Sequence, residues 1–245
     1  MPITPAAFAT RLLTEAQQTH PWLHHRLFGM IVAGELSREQ VRHVIREQGC
    51  FFLDTLRHAA WKIISVGGFT PTFEDLERQR ALIPLVVEEG GHDTIGGKQT
   101  AHAYLFVRLC EGLGWHRDEV FGTEYLPTTI IEKNELFQLQ RASTLEALCG
   151  GNIATESINH IVSARMAQAM EKHYGVPRAA LDFYHEHMEV EEDHRDRALA
   201  ILARVAVTDE EQKRGLLALR RAIAARRICA DGMYEAFVAP GGTRS

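Results

Sequence analysis

Nowhere in the 245 residues does an apolar run approach the length needed to cross a bilayer. The opening MPITPAAFATRLLTEAQQ has no basic stretch leading into an apolar core, so neither a membrane anchor nor an export signal is expected. Cysteine is sparse and scattered. Cys50, Cys110, Cys149 and Cys229 make no CxxC pair, which argues against a zinc ribbon or a redox dithiol and leaves reduced, mostly buried thiols of a cytoplasmic protein as the expectation. The 27 Lys and Arg against 32 Asp and Glu give a net charge of −5, and basic residues cluster only in RRAIAARR, so no field for nucleic acid is evident. Internal repeats, low-complexity tracts other than the tail APGGTRS, alternating strand patterns and a flavin or nicotinamide fingerprint are all missing.

What is there is helix. A hydrophobic content of 45% can supply one sizeable core, and its spacing is helical nearly throughout. LSREQVRHVIREQGCFFLDTLRHAAWKIISV opens with Ser37 and Gln40 as a capping box, and its apolar residues recur every three or four positions. A second helix is expected from about Thr72 to about Glu89, broken by GGHDTIGGKQT and resumed at AHAYLFVRLCEGLGW. A long helix covers TTIIEKNELFQLQRASTLEALCGGNIATESINHIVSARMAQAMEKHYG, with Gly150 and Gly151 marking a kink or a close helix approach. Another helix follows Pro177, and a last one opens with the capping box Thr208 to Glu211. The reading is an all-α bundle forming one domain over residues 1–238, with a flexible tail at 239–245.

Histidine is the unusual residue, with 13 copies, several of them three or four positions from a carboxylate. HEHMEVEEDH, at 185–194, is the densest stretch. On one continuous helix, His187, Glu191 and His194 share a face, because steps of four and seven residues turn about 400° and 700°. Two imidazoles and a carboxylate facing one point suit divalent iron or manganese. The same stretch also reads as a solvated face pairing with Arg195 and Arg197, and taken alone it leaves both readings open.

Three further positions qualify as donors. Glu88 ends a helix in the apolar run IPLVVEEGG, although Glu89 or His92 would serve there as well. His102 lies on an apolar helix, and Glu156 has no Lys or Arg three or four residues away. Each alone reads more naturally as a structural residue. Together the six make the inventory of a carboxylate-bridged dinuclear site in a helical bundle. A ferritin arrangement would need Glu-x-x-His on two helices, and Glu89 with His92 abuts two glycines, so a true ferritin fold is not expected.

VVEEGGHDTIGGKQTAHAYLFVRLCEGLGW, GGNIATES and DFYHEHMEVEEDHRDRAL, in that order, resemble the haem-oxygenase-like diiron oxidases and oxygenases. That group is related to pyrroloquinoline-quinone synthase and to the chlamydial protein associating with death domains. The resemblance spans roughly residues 20–235. It implies a haem-oxygenase-like helical bundle with Glu88, His102, Glu156, His187, Glu191 and His194 as ligands of two Fe(II) ions. The family's usual Asp in the last motif is Glu191 here, which makes the second ion the more labile one. The implied activity is dioxygen-dependent N-oxygenation, desaturation or C–C cleavage of a small amino-acid-like or amine-bearing metabolite.

Gln48, Phe52, His58, Arg165 and Tyr184 are the candidate substrate contacts, Arg165 as a carboxylate clamp. The expected partners are a small-molecule substrate, dioxygen, an external reductant and a second copy of the chain in a homodimer, without nucleic acid or membrane. Two other readings compete: a metal-free oxidase of the quinone-synthase kind, whose metal-ligand positions carry other polar residues, and a helical interaction module that exposes its His and acid cluster for docking.

Overall fold

The computed structural model describes residues 2–64, 66, 72–91, 101–122, 124–189 and 191–240, with the side chains at 85, 88, 189 and 191–197 outside that description. Among the described residues there are helices and no strands. They are α1 (Pro5–Thr19), α2 (Pro21–His24), α3 (Arg26–Ala33), α4 (Arg38–Phe52), α5 (Thr55–Ile64), α6 (Phe73–Glu89) and α7 (His102–Gly112). After these come α8 (Arg117–Phe121), α9 (Pro127–Ala142), α10 (Thr144–Ala147), α11 (Ala154–Tyr174), α12 (Asp182–Glu189), α13 (Glu191–Val205) and α14 (Asp209–Phe237). None is long and apolar enough to cross a membrane. All four cysteines are free thiols and buried, as their spacing suggests. Of the expected tail, 241–245 lie outside the described residues.

Both capping boxes form. Ser37 Oγ accepts from the Gln40 N–H at 3.1 Å while Gln40 Oε1 accepts from the Ser37 N–H at 2.9 Å, and Thr208 with Glu211 repeats the exchange at the head of α14. Two stretches read as single helices are divided. The first breaks at Leu53 and Asp54 between α4 and α5, where Asp54 forms ion pairs with Arg57 at 3.1 Å and Lys133 at 3.0 Å. The second breaks at Ser143, whose backbone is extended and whose hydroxyl accepts from the N–H groups of Leu145 and Glu146. Serine competes for helix backbone donors and so favours a new start over continuation.

The paired glycines mark a departure of another kind. Leu148–Ile153 is π-helical and joins α10 to α11. A Cβ on Gly150 would lie 2.7 Å from Leu139 Cδ1 and 3.2 Å from the Ala218 carbonyl. Only glycine lets the π turn lie this close to α9 and α14. The extra residue in the turn shifts the helical phase at which Asn152 and Glu156 project.

Two apolar clusters flank the middle of the bundle. One joins α3, α4, α7 and α11 through Ile31, Ile45, Phe106 and Ile158, and the other joins α1, α9 and α14 through Phe8, Leu139 and Leu219. Phe51 packs against both. At the far end, α14 and α9 approach so closely that a Cβ on Gly232 would overlap the side chain of Thr128. Gly232→Ala is therefore expected to destabilise the protein by about 1–3 kcal/mol in denaturant unfolding, outweighing the roughly 1 kcal/mol of helix propensity that alanine brings. Adding Thr128→Ala should recover part of the loss.

Candidate metal and substrate cavity

Between the two clusters lies a cavity of about 730 Å³ including its open mouth. Thr55, His58, Ala59 and Lys62 enter it from α5, where steps of three and four residues put them on one face. The end of α6 contributes Glu89, the first residue of α7 contributes His102, and α12 contributes His187. The π turn and the head of α11 supply Asn152, Thr155, Glu156 and Asn159. Gln140 of α9 and Arg226 of α14 close the wall.

Glu89 Oε2 lies 3.0 Å from His102 Nδ1. Burial pushes the Glu89 carboxyl up, but His102, by charge and hydrogen bond, with Thr55 and Lys62, outweighs it and holds the carboxyl down at about 2. The His102 and His187 ring centroids are 4.9 Å apart. His187 Nδ1 lies 2.6 Å from the Phe183 carbonyl. A carbonyl can only accept, so Nδ1 carries the proton and the ring's lone pair sits on Nε2, the tautomer that backbone-oriented metal-binding histidines use. Glu156 Oε1 accepts from Asn152 Nδ2 at 2.6 Å, four residues back across the π turn. Its Oε2 is buried and has no hydrogen-bond partner. Lys62 belongs to the same cluster: burial lowers its pKa, and the charges of Glu156 and Glu89 oppose that shift.

Three of the six expected donors, His102, Glu156 and His187, thus come to one cavity from three helices. Glu89, the alternative to Glu88, lines it as well. The side chains of Glu88, Glu191 and His194 lie outside the described residues, as does His92 entirely. The stretch 185–194 straddles the end of α12 and the start of α13, rather than running as one described helix. Among the described residues no three His, Cys, Asp or Glu side chains close on a single point.

Of the expected substrate contacts, His58 borders the same cavity. Gln48, Phe52 and Tyr184 line an adjoining lobe with Trp22, Phe28, Met166 and Phe183, and the two spaces share Phe52, Asn159 and His187. Arg165 does not reach the cavity. From Glu156 to Arg165 the helix turns about 900°, half a circle out of phase, which leaves the arginine exposed beside a separate pocket that shares Trp22, Phe28, Val162 and Met166 with the adjoining lobe. The sequence pattern does not single out Lys62, Gln140, Thr155 or Arg226. Lys62 stands one turn beyond His58 and Thr155 beside Glu156, while Arg226 sits in the run RRAIAARR, whose charge hides the one arginine that faces inward.

His58 is 2% exposed, with its ring between Phe51 and Phe137. Its Nδ1–H donates to Gln140 Oε1, and Nε2 is buried with no partner. Burial pulls its pKa down to about 4, the Lys62 and Lys133 charges acting the same way and the Gln140 hydrogen bond and Asp54 opposing. Between pH 6.5 and 4 an unfolded chain therefore takes up a proton that the folded one refuses, so stability falls as pH drops through that window. His58→Asn should shrink the stability difference between pH 7 and pH 5 by about 2 kcal/mol, read from urea unfolding at the two pH values.

A sequence profile of iron-containing redox enzymes matches residues 51–227. The chain is 25% identical over 226 residues to the bifunctional coenzyme PQQ synthesis protein C/D of Methylorubrum extorquens, covering 91% of this chain but only 56% of that protein. It is 25% identical over 233 residues to the 4-aminobenzoate synthase of Nitrosomonas europaea, covering 91% of this chain and 89% of that one. A solved domain of unknown function from Shewanella denitrificans, described as having a heme oxygenase-like fold, superposes with a TM-score of 0.69 at 13% identity, over 94% of this chain and 90% of that one. The matched profile takes in α5 to α13 and the whole donor set, and the chain belongs to the iron-containing redox enzymes, with a haem-oxygenase-like fold.

Proposed function

We propose that the protein is a dioxygen-dependent non-haem iron oxidoreductase acting on a small amino-acid-like or amine-bearing metabolite. The observation that carries this reading is the Glu156 carboxylate, whose buried Oε2 has no hydrogen-bond partner in the cavity that also holds Glu89, His102 and His187. A carboxylate oxygen left bare in a bundle interior is costly unless a cation meets it. Mixed imidazole and carboxylate donors suit Fe(II) and Fe(III) alike. Glu89, His102, Glu156 and His187 would hold iron together with Glu191 and His194, with Glu89 standing where the resemblance implies Glu88, and the second ion looser because Glu191 replaces the usual Asp. Iron, once bound, supplies the electrons and coordination sites that activate dioxygen.

The protein's own part is to orient and to exclude water. The Phe183 carbonyl fixes the His187 tautomer, Asn152 fixes one oxygen of Glu156, and Phe51 and Phe52 keep the cavity apolar on one side. Gln48, Phe52 and Tyr184 would shape the lobe beside it around the body of the substrate. The chain spans about half of the PQQ synthesis protein it matches, and a second reading is the metal-free oxidase that the resemblance to the quinone-synthase branch implies. The described contacts lend this some support, since Lys62 and His102 place positive charge against Glu156 and Glu89 without any metal.

Anaerobic Fe(II) titration followed by an oxygen pulse separates the two. The expected result is retention of iron after desalting, with oxygen consumed in proportion to bound iron. Glu156→Gln and His187→Ala should each lower iron retention at least about tenfold, consistent with loss of a ligand, while leaving the helical circular dichroism unchanged. Activity that persists in chelator, with no iron uptake, would establish the metal-free reading instead.

A further inference from the structure

Arg226 sits on α14, 1% exposed, in the wall of the metal and substrate cavity. A guanidinium there is costly to bury unless its donors and its charge are met. One donor is met: Nη2–H bonds Thr155 Oγ1 at 2.6 Å, next in sequence to Glu156. The charge is met in part, by Glu132 Oε1 at 3.8 Å from Nη1, close enough for attraction and too far for a hydrogen bond. The Nε–H is buried and has no hydrogen-bond partner. Trp22 and Phe51 pack against the group, their ring centroids 4.8 Å and 5.6 Å from Cζ. Those rings pack against the guanidinium and offer its N–H groups no acceptor in their planes.

We propose that Arg226 anchors a carboxylate of the substrate, through its unmet Nε–H and a neighbouring Nη–H, and so directs the rest of an aryl- or alkyl-carboxylate molecule across the cavity toward the Glu89, His102, Glu156 and His187 donors. This deepens the iron-oxidoreductase reading and rests on it for the far end of the substrate. A planar anion suits the position on three counts. It fills the bare donor, adds the negative charge that distant Glu132 supplies only partly, and matches the fork geometry that a guanidinium offers to a carboxylate. A neutral amide of the same shape satisfies the hydrogen bond and leaves the charge unmet. Arg165, the arginine that the sequence pattern favours for this role, faces outward, and Arg226 takes its place in the inward wall.

The test uses 3-phenylpropanoate and its amide, 3-phenylpropanamide, as probes in isothermal titration of the full-length protein, with and without anaerobic Fe(II). The expected result is binding of the acid at least about tenfold tighter than the amide in both metal states. Arg226→Lys should weaken the acid while keeping some preference. The double variant Arg226→Met with Glu132→Gln, which removes the buried pair together and so avoids stranding a charge, should abolish the preference while iron retention stays at the wild-type level. Equal binding of acid and amide by the wild type, absence of acid binding, or full preference in the double variant would each overturn the proposal. Failure of iron uptake with the Arg226-dependent preference intact would instead count against the iron reading alone.

Discussion

Two carboxylates inside a helical bundle are the constraint around which the cavity is organised. Glu89 and Glu156 reach the interior from different helices, where a carboxylate is costly to bury without positive charge or hydrogen bonds to meet it. Glu89 meets it in His102 and Lys62, which draw its carboxyl down to about 2 against the opposing effect of burial. Glu156 is met by Asn152 on one oxygen and by no hydrogen bond on the other. The polar wall is thus nearly, but not fully, satisfied. That incompleteness, a buried carboxylate oxygen without a hydrogen bond beside the Lys62 charge, is the feature on which the iron reading rests.

Backbone irregularity places these groups. The π turn at Leu148–Ile153 tolerates close contact with α9 and α14 only because residue 150 is glycine, and it sets the phase at which Asn152, Thr155 and Glu156 enter the cavity. Breaks at Asp54 and Ser143 act similarly at a coarser scale, redirecting α5 and α10 so that Thr55, His58 and Lys62 form one face of the site. Packing on both sides then holds the arrangement, with Phe51 shared between the two apolar clusters.

Much of this is legible in the sequence, and the limits have physical causes. Helix class, both capping boxes and the cavity positions of His102, Glu156 and His187 arise from local patterns whose signal lies within a few residues. The choice between Glu88 and Glu89 is not legible there, because adjacent residues differ by about 100° of phase and a helix end frays that phase; Glu89 lines the cavity, and the Glu88 side chain lies outside the described residues. Arg165 is misplaced when turns are counted loosely, since nine residues carry a side chain to the opposite face. Lys62 and Arg226 need tertiary structure: an isolated lysine, and one arginine among four in RRAIAARR, look like any solvated charge until neighbouring helices cover them.

The central claim, that this cavity receives iron, is tested most directly by anomalous diffraction at the iron edge from crystals loaded anaerobically with Fe(II). The account predicts a peak inside the bundle, within coordination distance of Glu156 Oε2 and His187 Nε2. Fully loaded crystals with no peak in the cavity, or with iron only on the outer surface, would contradict it.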